Sequence, residues 1–267
     1  MSSPTGPTPP QFTPSGEPIT TESAAPGLSE PQRLVNTFIA PRKTFEDLKR
    51  NASWWAPWLI SAVFALIFAT VAVQKLDMGR FVQQQIDRST RAQKRMEQLT
   101  PEQRAQSIAL QTTITKVTFY MVPFFLLIGG LITAAILMAV FNFILGAEVP
   151  FQRAIAIAFY AALPGILGSI LLIVSVLVSA DPSTIDIAGN PMPTSLGFFM
   201  DPEGNKVLYG LASALDIFKI WWVILLGLGF SIASSNRKPS VGTALTTTFV
   251  LYGIVVLIGI GFKVAFS

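Results

Sequence analysis

The chain has 267 residues, of which 51% are hydrophobic and only 13% charged, with a formal net charge of +4. A soluble domain carries about twice that share of charge, so the composition is that of a membrane protein. Cysteine and histidine are both absent, which excludes disulfides, thiol nucleophiles, Cys/His zinc sites, haem-His ligation and every His-dependent triad.

Residues 1–31 are mostly Pro, Ser, Thr and Gly. They lack the apolar content to offset the entropy of ordering and read as a disordered cytoplasmic tail, either a spacer or a carrier of a short docking motif. No basic residue precedes Arg33 and no apolar run follows the start, so a conventional signal peptide is not expected. The membrane domain is expected over residues 32–267.

The segment "SEPQRLVNTFIAPRKTFEDLKRNASWWAPW" comes next. Ser29 and Gln32 have capping-box spacing, Leu34, Val35, Phe38 and Ile39 recur on one helical face, and Pro41 ends that helix. Thr44 and Asp47 are expected to cap a second short helix carrying Phe45 and Leu48. With Arg33, Arg42, Lys43, Lys49 and Arg50 among these apolar residues, the segment is expected to lie in the headgroup plane. Trp54, Trp55 and Trp58 stand where an aromatic belt belongs.

Five apolar spans follow, over about residues 57–73, 117–145, 155–180, 217–233 and 241–265, each near the length of about 20 residues that crosses a bilayer. The expected fold class is all-α, a polytopic helical membrane protein with five transmembrane helices. The polar connection 74–116 reads as an extramembrane helical hairpin whose two helices prolong spans one and two. Leu76, Phe81 and Ile86 form a sparse apolar stripe there, and "TPEQ" (Thr100 to Gln103) starts its second helix. The acidic connection 181–215 is rich in turn residues and contains an apolar knot, "SLGFFM", that can dip into the interface.

Five basic residues precede span one, Arg153 lies between spans two and three, and Arg237 and Lys238 lie between spans four and five. These loops place the N-terminus inside. The connection 74–116 opposes that assignment, with eight basic and four acidic residues on the predicted outer side.

The middles of all five spans contain no ionisable residue. With no histidine and no membrane aspartate pair, metalloprotease, rhomboid-type and twin-aspartate chemistry cannot be built, and proton-coupled transport lacks its relay carboxylate. Enzymatic use of the loop carboxylates Asp181, Asp186, Asp201 and Glu203 is disfavoured, since their spacing matches no calcium loop. What the spans do contain is small or weakly polar. Ala158, Ala161, Gly165 and Gly168 form a small-residue stripe expected to serve helix packing. Asn142 is the one amide in span two. Asp216 and Lys219 share one helix face at the start of span four, with Trp221 a turn later. Asp216, Lys219, Trp221 and Asn142 are the candidate contacts to lipid or to a partner, and an anchoring pair is the alternative for Asp216 and Lys219.

Four stretches resemble the Yip1-domain family. "RLVNTFIAPRKTFEDLKRNASWWAPWLI" looks like its amino-terminal signature, and "LTPEQRAQSIALQTT" is similar to the polar hairpin of bacterial members. "FNFILGAEVPFQRAIAIAFYAALPGILG" resembles the region of its second and third spans, and "LDIFKIWWVILLGLGFSIASSNRKPSVGTAL" its fourth span and basic turn. The likeness covers about Gln32 to Ser267. It implies five spans, a cytoplasmic amino terminus, a short outer carboxyl terminus, and neither catalytic residues nor a cofactor. Eukaryotic relatives associate with small Rab GTPases, a role that does not carry over to a chain with the bacterial-type hairpin. The expected function is therefore a non-enzymatic, multi-pass protein of a bacterial inner membrane. It would organise or bind membrane components: lipids, protein partners or further copies of itself, and not nucleic acid. The alternative is a facilitator of lipid or small-solute movement.

Overall fold

The computed structural model describes residues 27–181, 185, 187, 193–202, 204–235 and 238–266. The expected tail up to residue 26, and Asp186, Glu203 and Arg237, lie outside the described residues. Among the described residues the fold is all-helical, with one isolated antiparallel bridge between Ser195 and Asp216.

Two short helices come first, α1 (Glu30–Ile39) and α2 (Pro41–Asp47). The capping box expected at Ser29 forms: the Gln32 amide donates to Ser29 Oγ at 3.4 Å and the Ser29 amide to Gln32 Oε1 at 2.9 Å. Order thus begins earlier than the composition suggests, since Glu30 and Pro31 already form the first turn and the Leu28 amide donates to Asp47 Oδ1. Thr44 and Asp47 do not cap α2. Pro41 occupies its first turn without a side-chain cap, and both residues face α1 instead. The segment packs on the bundle. Phe45 and Leu48 are fully buried in the main core, and only Val35 and Ile39 keep an exposed apolar edge.

Among the described residues, four helical stretches are long and apolar enough to cross a membrane: α3 (Trp55–Lys75), α7 (Val122–Phe143), the pair α8 (Phe151–Ala161) and α9 (Pro164–Val178), and α12 (Val241–Phe266). Pro164 lacks the N–H that would continue α8, so the third stretch bends there. The shorter α11 (Ile217–Ala233) runs through the centre, with Val223, Leu225, Leu226 and Phe230 buried. The protein is a polytopic helical membrane protein, and α11 is its fifth apolar helix.

The 74–116 connection differs from a simple hairpin. It holds α4 (Met78–Asp87) and α5 (Thr90–Glu97), then α6 (Pro101–Tyr120), which passes into α7 through Met121. Span two is prolonged in this way, but span one is not. Leu76 is extended (φ −92°, ψ 142°), and Asp77 caps a new helix by accepting from the Gly79 and Arg80 amides. Met78, Val82 and Ile86 on α4 turn inward, and Phe81 meets Phe119 of α6 edge-on. Beyond α9, a 3-10 turn over Leu196–Phe199 leaves Leu196, Phe198 and Phe199 exposed, and α10 (Lys206–Ala214) leads back to α11.

Trp54, just before α3, stacks on Phe159 with ring centroids 5.5 Å apart. Phe159 lies about two turns into α8, so α3 starts deeper in the bundle than its neighbours. The α1–α2 pair fills the space left between that level and the common end of α8 and α11.

Candidate functional site

Asp216 and Lys219 act as two opposite helix caps. The Asp216 carboxylate accepts from the Phe218 and Lys219 amides at 3.0 and 3.1 Å and so satisfies the start of α11. Its other oxygen takes the Thr194 hydroxyl at 2.6 Å, and the Ile217 amide bonds to the Thr194 carbonyl, which ties the preceding loop to the helix. Lys219 Nζ turns the other way, to the Ser213 carbonyl at 3.0 Å, beside the Tyr252 hydroxyl on the Ala214 carbonyl at 2.7 Å. Both donors serve the end of α10, where carbonyls lack helical partners. Replacing Asp216 with Ala is expected to cost about 1 kcal/mol through the lost cap. Thermal unfolding of the purified variant checks this, and a larger fall in activity than in membrane abundance would mark a contact role.

Trp221 and Trp222 both face protein. Trp221 meets Phe38 of α1 edge-on at 5.8 Å, and Trp222 meets Tyr252 of α12 at 6.3 Å. Asn142 is placed far from this mouth. Its amide donates to the Val149 carbonyl at 3.0 Å and accepts from the Val149 amide at 2.7 Å. That pair closes the turn between α7 and α8, where Gly146 and Glu148 have φ of 64° and 54°. Nearby, Arg153 gathers three segments, donating to the Ala233 carbonyl, Ser235 Oγ and the Lys49 carbonyl. Burial and then Lys238 pull the Lys49 ammonium below its ordinary value; Glu46 opposes and Arg153 adds to the fall. Lys49, Arg153 and Lys238 thus gather at this end of the bundle, with Glu46 beside them.

The small-residue stripe divides in two. Ala158 and Ala161 are buried in the core, whereas a Cβ at Gly165 would meet nothing within 4 Å and one at Gly168 would touch Phe218 at 3.2 Å.

One constellation was not foreseen from the sequence. Arg33, only 3% exposed, donates from Nε to Asp47 Oδ2 at 2.6 Å and from Nη1 to Glu30 Oε1 at 3.2 Å. The Tyr160 hydroxyl donates to Glu30 Oε2 at 2.7 Å, and Thr37 and Thr44 both donate to the Arg33 carbonyl. Burial lowers the Arg33 pKa, but Asp47, by hydrogen bond and charge, and then Glu30 outweigh it, and the guanidinium stays above its ordinary value. Glu30 and Arg33 have helix-neighbour spacing, which is a readable signal. Asp47 and Tyr160 carry none, because a fold alone brings them there. The network sets one guanidinium against two carboxylates, and each of these groups is hydrogen-bonded within it.

Two apolar clefts open between the spans. One, of about 330 Å³, lies between α3, α7, α8 and α9; the other, of about 240 Å³, lies between α7, α11 and α12. Among the described residues no group of three or more Asp or Glu could hold a metal ion. A family model, the Yip1 domain, matches residues 35–260. No curated protein and no solved structure matches the chain.

Proposed function

The chain belongs to the Yip1-domain family, and from that premise we propose that it is a non-enzymatic membrane protein that organises or binds other membrane components. The observation that carries this reading is the use of its polar mouth groups. Asp216 and Lys219 at one end of the bundle, and Asn142 and Arg153 at the other, are each hydrogen-bonded to backbone within the fold as caps and turn ties, a structural use of these groups and not the lining of a path. The Yip1 family is not a known enzyme family. Lipids, protein partners or further copies of the chain are the components it would gather.

The test is reconstitution into liposomes with measurement of lipid scrambling and solute leak. The expected result is no protein-dependent flux. Flux that disappears when Asp216 and Lys219 are both changed to Ala would replace this reading with a transport facilitator whose path runs by the α11 mouth.

The gathering of Lys49, Arg153 and Lys238 at one end, together with the family's usual arrangement, supports a cytoplasmic N-terminus, and the bacterial-type hairpin supports a bacterial inner membrane. Because the chain has no cysteine, a single Ser235→Cys substitution reports orientation without background. An impermeant maleimide is expected to label it only after the cells are opened; labelling of intact cells would invert the topology.

A further inference from the structure

The basic charge of the 74–116 connection is concentrated in one place. Residues 88–95 hold Arg88, Arg91, Lys94 and Arg95 and no carboxylate. Arg91 and Arg95 are one turn apart on α5, and both line a groove of about 540 Å³ between α5 and α6. Ile86, Met96 and Leu110 supply its apolar lining, and Gln111 donates to the Ser107 hydroxyl at 3.1 Å. The flanking carboxylates Asp87 and Glu97 are not part of its wall. Two guanidiniums beside an apolar surface suit a ligand with one anionic and one apolar end.

The height of this groove against a bilayer is marked twice, independently. The first marker is α12, whose 26 residues make about 39 Å of helix. That outruns a hydrocarbon core of about 30 Å, so the last turn of α12 emerges among headgroups. Arg91 Nη2 donates to the Ala265 carbonyl of that turn at 3.4 Å, which holds α5 at the same level. The second marker is α6. Leu110, Ile114, Val117 and Met121 are all exposed and recur at helical spacing on one face, which runs on into the exposed Phe124 and Phe125 of α7. Beyond Leu110 the same face turns polar, as Gln106 and Gln103. Thr113 and Thr118, near this stripe, return their hydroxyls to the Ala109 and Ile114 carbonyls of their own helix, as hydroxyls beside hydrocarbon do. The apolar cover of α6 therefore reaches up to Leu110, which itself lines the groove.

Both markers put Arg91 and Arg95 at the level of lipid phosphates. The geometry points to a binding site for one anionic phospholipid in the leaflet opposite the N-terminus, its phosphate held by Arg91 and Arg95 and an acyl chain laid along Leu110, Ile114 and Val117. Arg91 keeps one N–H on Ala265 and has others for the phosphate. A soluble phosphate ester shares the headgroup chemistry, and contact with the α6 stripe is what distinguishes the lipid. The site deepens the binding role proposed above by naming one component. Its failure would leave protein partners or further copies as the components gathered, whereas flux in the liposome test strikes the role itself.

The test is native mass spectrometry of the full chain, released from micelles that carry phosphatidylglycerol and phosphatidylcholine in equal amounts. Phosphatidylglycerol is expected to be retained in preference, and Arg95→Gln to weaken its retention about tenfold, the loss of one charge-assisted contact. Lys94→Gln removes the same charge from the same helix outside the groove and is expected to change little. Leu110→Gln, a polar change on the exposed stripe, is expected to weaken retention as well, and excess glycerol 3-phosphate to displace no lipid. Equal weakening by Arg95→Gln and Lys94→Gln would reduce the effect to diffuse attraction and overturn the site. Displacement by glycerol 3-phosphate, or full retention by Leu110→Gln, would make the ligand a soluble phosphate ester and overturn the lipid.

Discussion

Arg33→Met is expected to be the most damaging single change to stability in the N-terminal segment. It leaves Asp47, 7% exposed, as a buried carboxylate with no cationic partner. Removing one member of a buried pair in this way costs about 3–5 kcal/mol. Arg33→Lys is not expected to rescue it, because the guanidinium reaches Asp47 through Nε and Glu30 through Nη1, a fork that one ammonium cannot reproduce. The double variant Arg33→Met, Asp47→Leu removes both charges and is expected to recover most of the loss. Thermal unfolding of the wild type, Arg33→Met, Asp47→Leu and the double variant gives the coupling directly. A single-variant cost near that of an exposed ion pair, below about 1 kcal/mol, would mean that water reaches the network in the native state.

The second large effect is expected at Gly229. A Cβ there would sit 2.5 Å from Ile157 Cγ2 and 3.1 and 3.2 Å from the ring of Phe45. Both neighbours are fully buried, so neither has space to yield. Gly229→Val is expected to cost about 1–3 kcal/mol by overpacking and to loosen α2 from α11, read as faster proteolysis ahead of Trp54. Gly259 on α12 should respond with the opposite sign. Its Cβ would meet nothing within 4 Å, and Gly→Ala inside a helix gains about 0.5–1 kcal/mol. Equal destabilisation at both positions would show that α12 is covered in the membrane by something that fits against its glycines.

Those two glycines show what the sequence could and could not disclose. Apolar length alone announces the spans, because a bilayer imposes it residue by residue, and the capping boxes at Ser29 and Thr100 are local enough to read directly. The same logic identifies Gly229 and Gly259 only as small residues in apolar helices; which of them touches a neighbour is a tertiary fact. Asp216 was legible as a favourable helix start. Lys219, three residues away, appeared to be its companion, yet it serves the end of α10, whose existence was not foreseen in the 181–215 connection. Asn142 looked like a polar spot within a span because its partner, Val149, lies across a turn that needs two residues in left-handed backbone conformations. Arg33 was read as a headgroup contact since basic residues beside aromatics usually are. Its burial depends on α3 beginning level with Phe159, which no property of residues near Arg33 encodes.

That offset of α3 bears on the order in which the molecule can be assembled. The berth of α1 and α2 is built by Tyr160 on α8 and by Gly229 and Phe230 on α11, residues translated long after Arg33 and Phe45. The segment that leaves the ribosome ahead of every span therefore has nowhere to sit until α11 is in place. Until then Arg33, Glu30 and Asp47 stay hydrated and Phe45 and Leu48 stay uncovered, so docking of the amino-terminal segment is among the last steps of folding and reports that α8 and α11 have already paired.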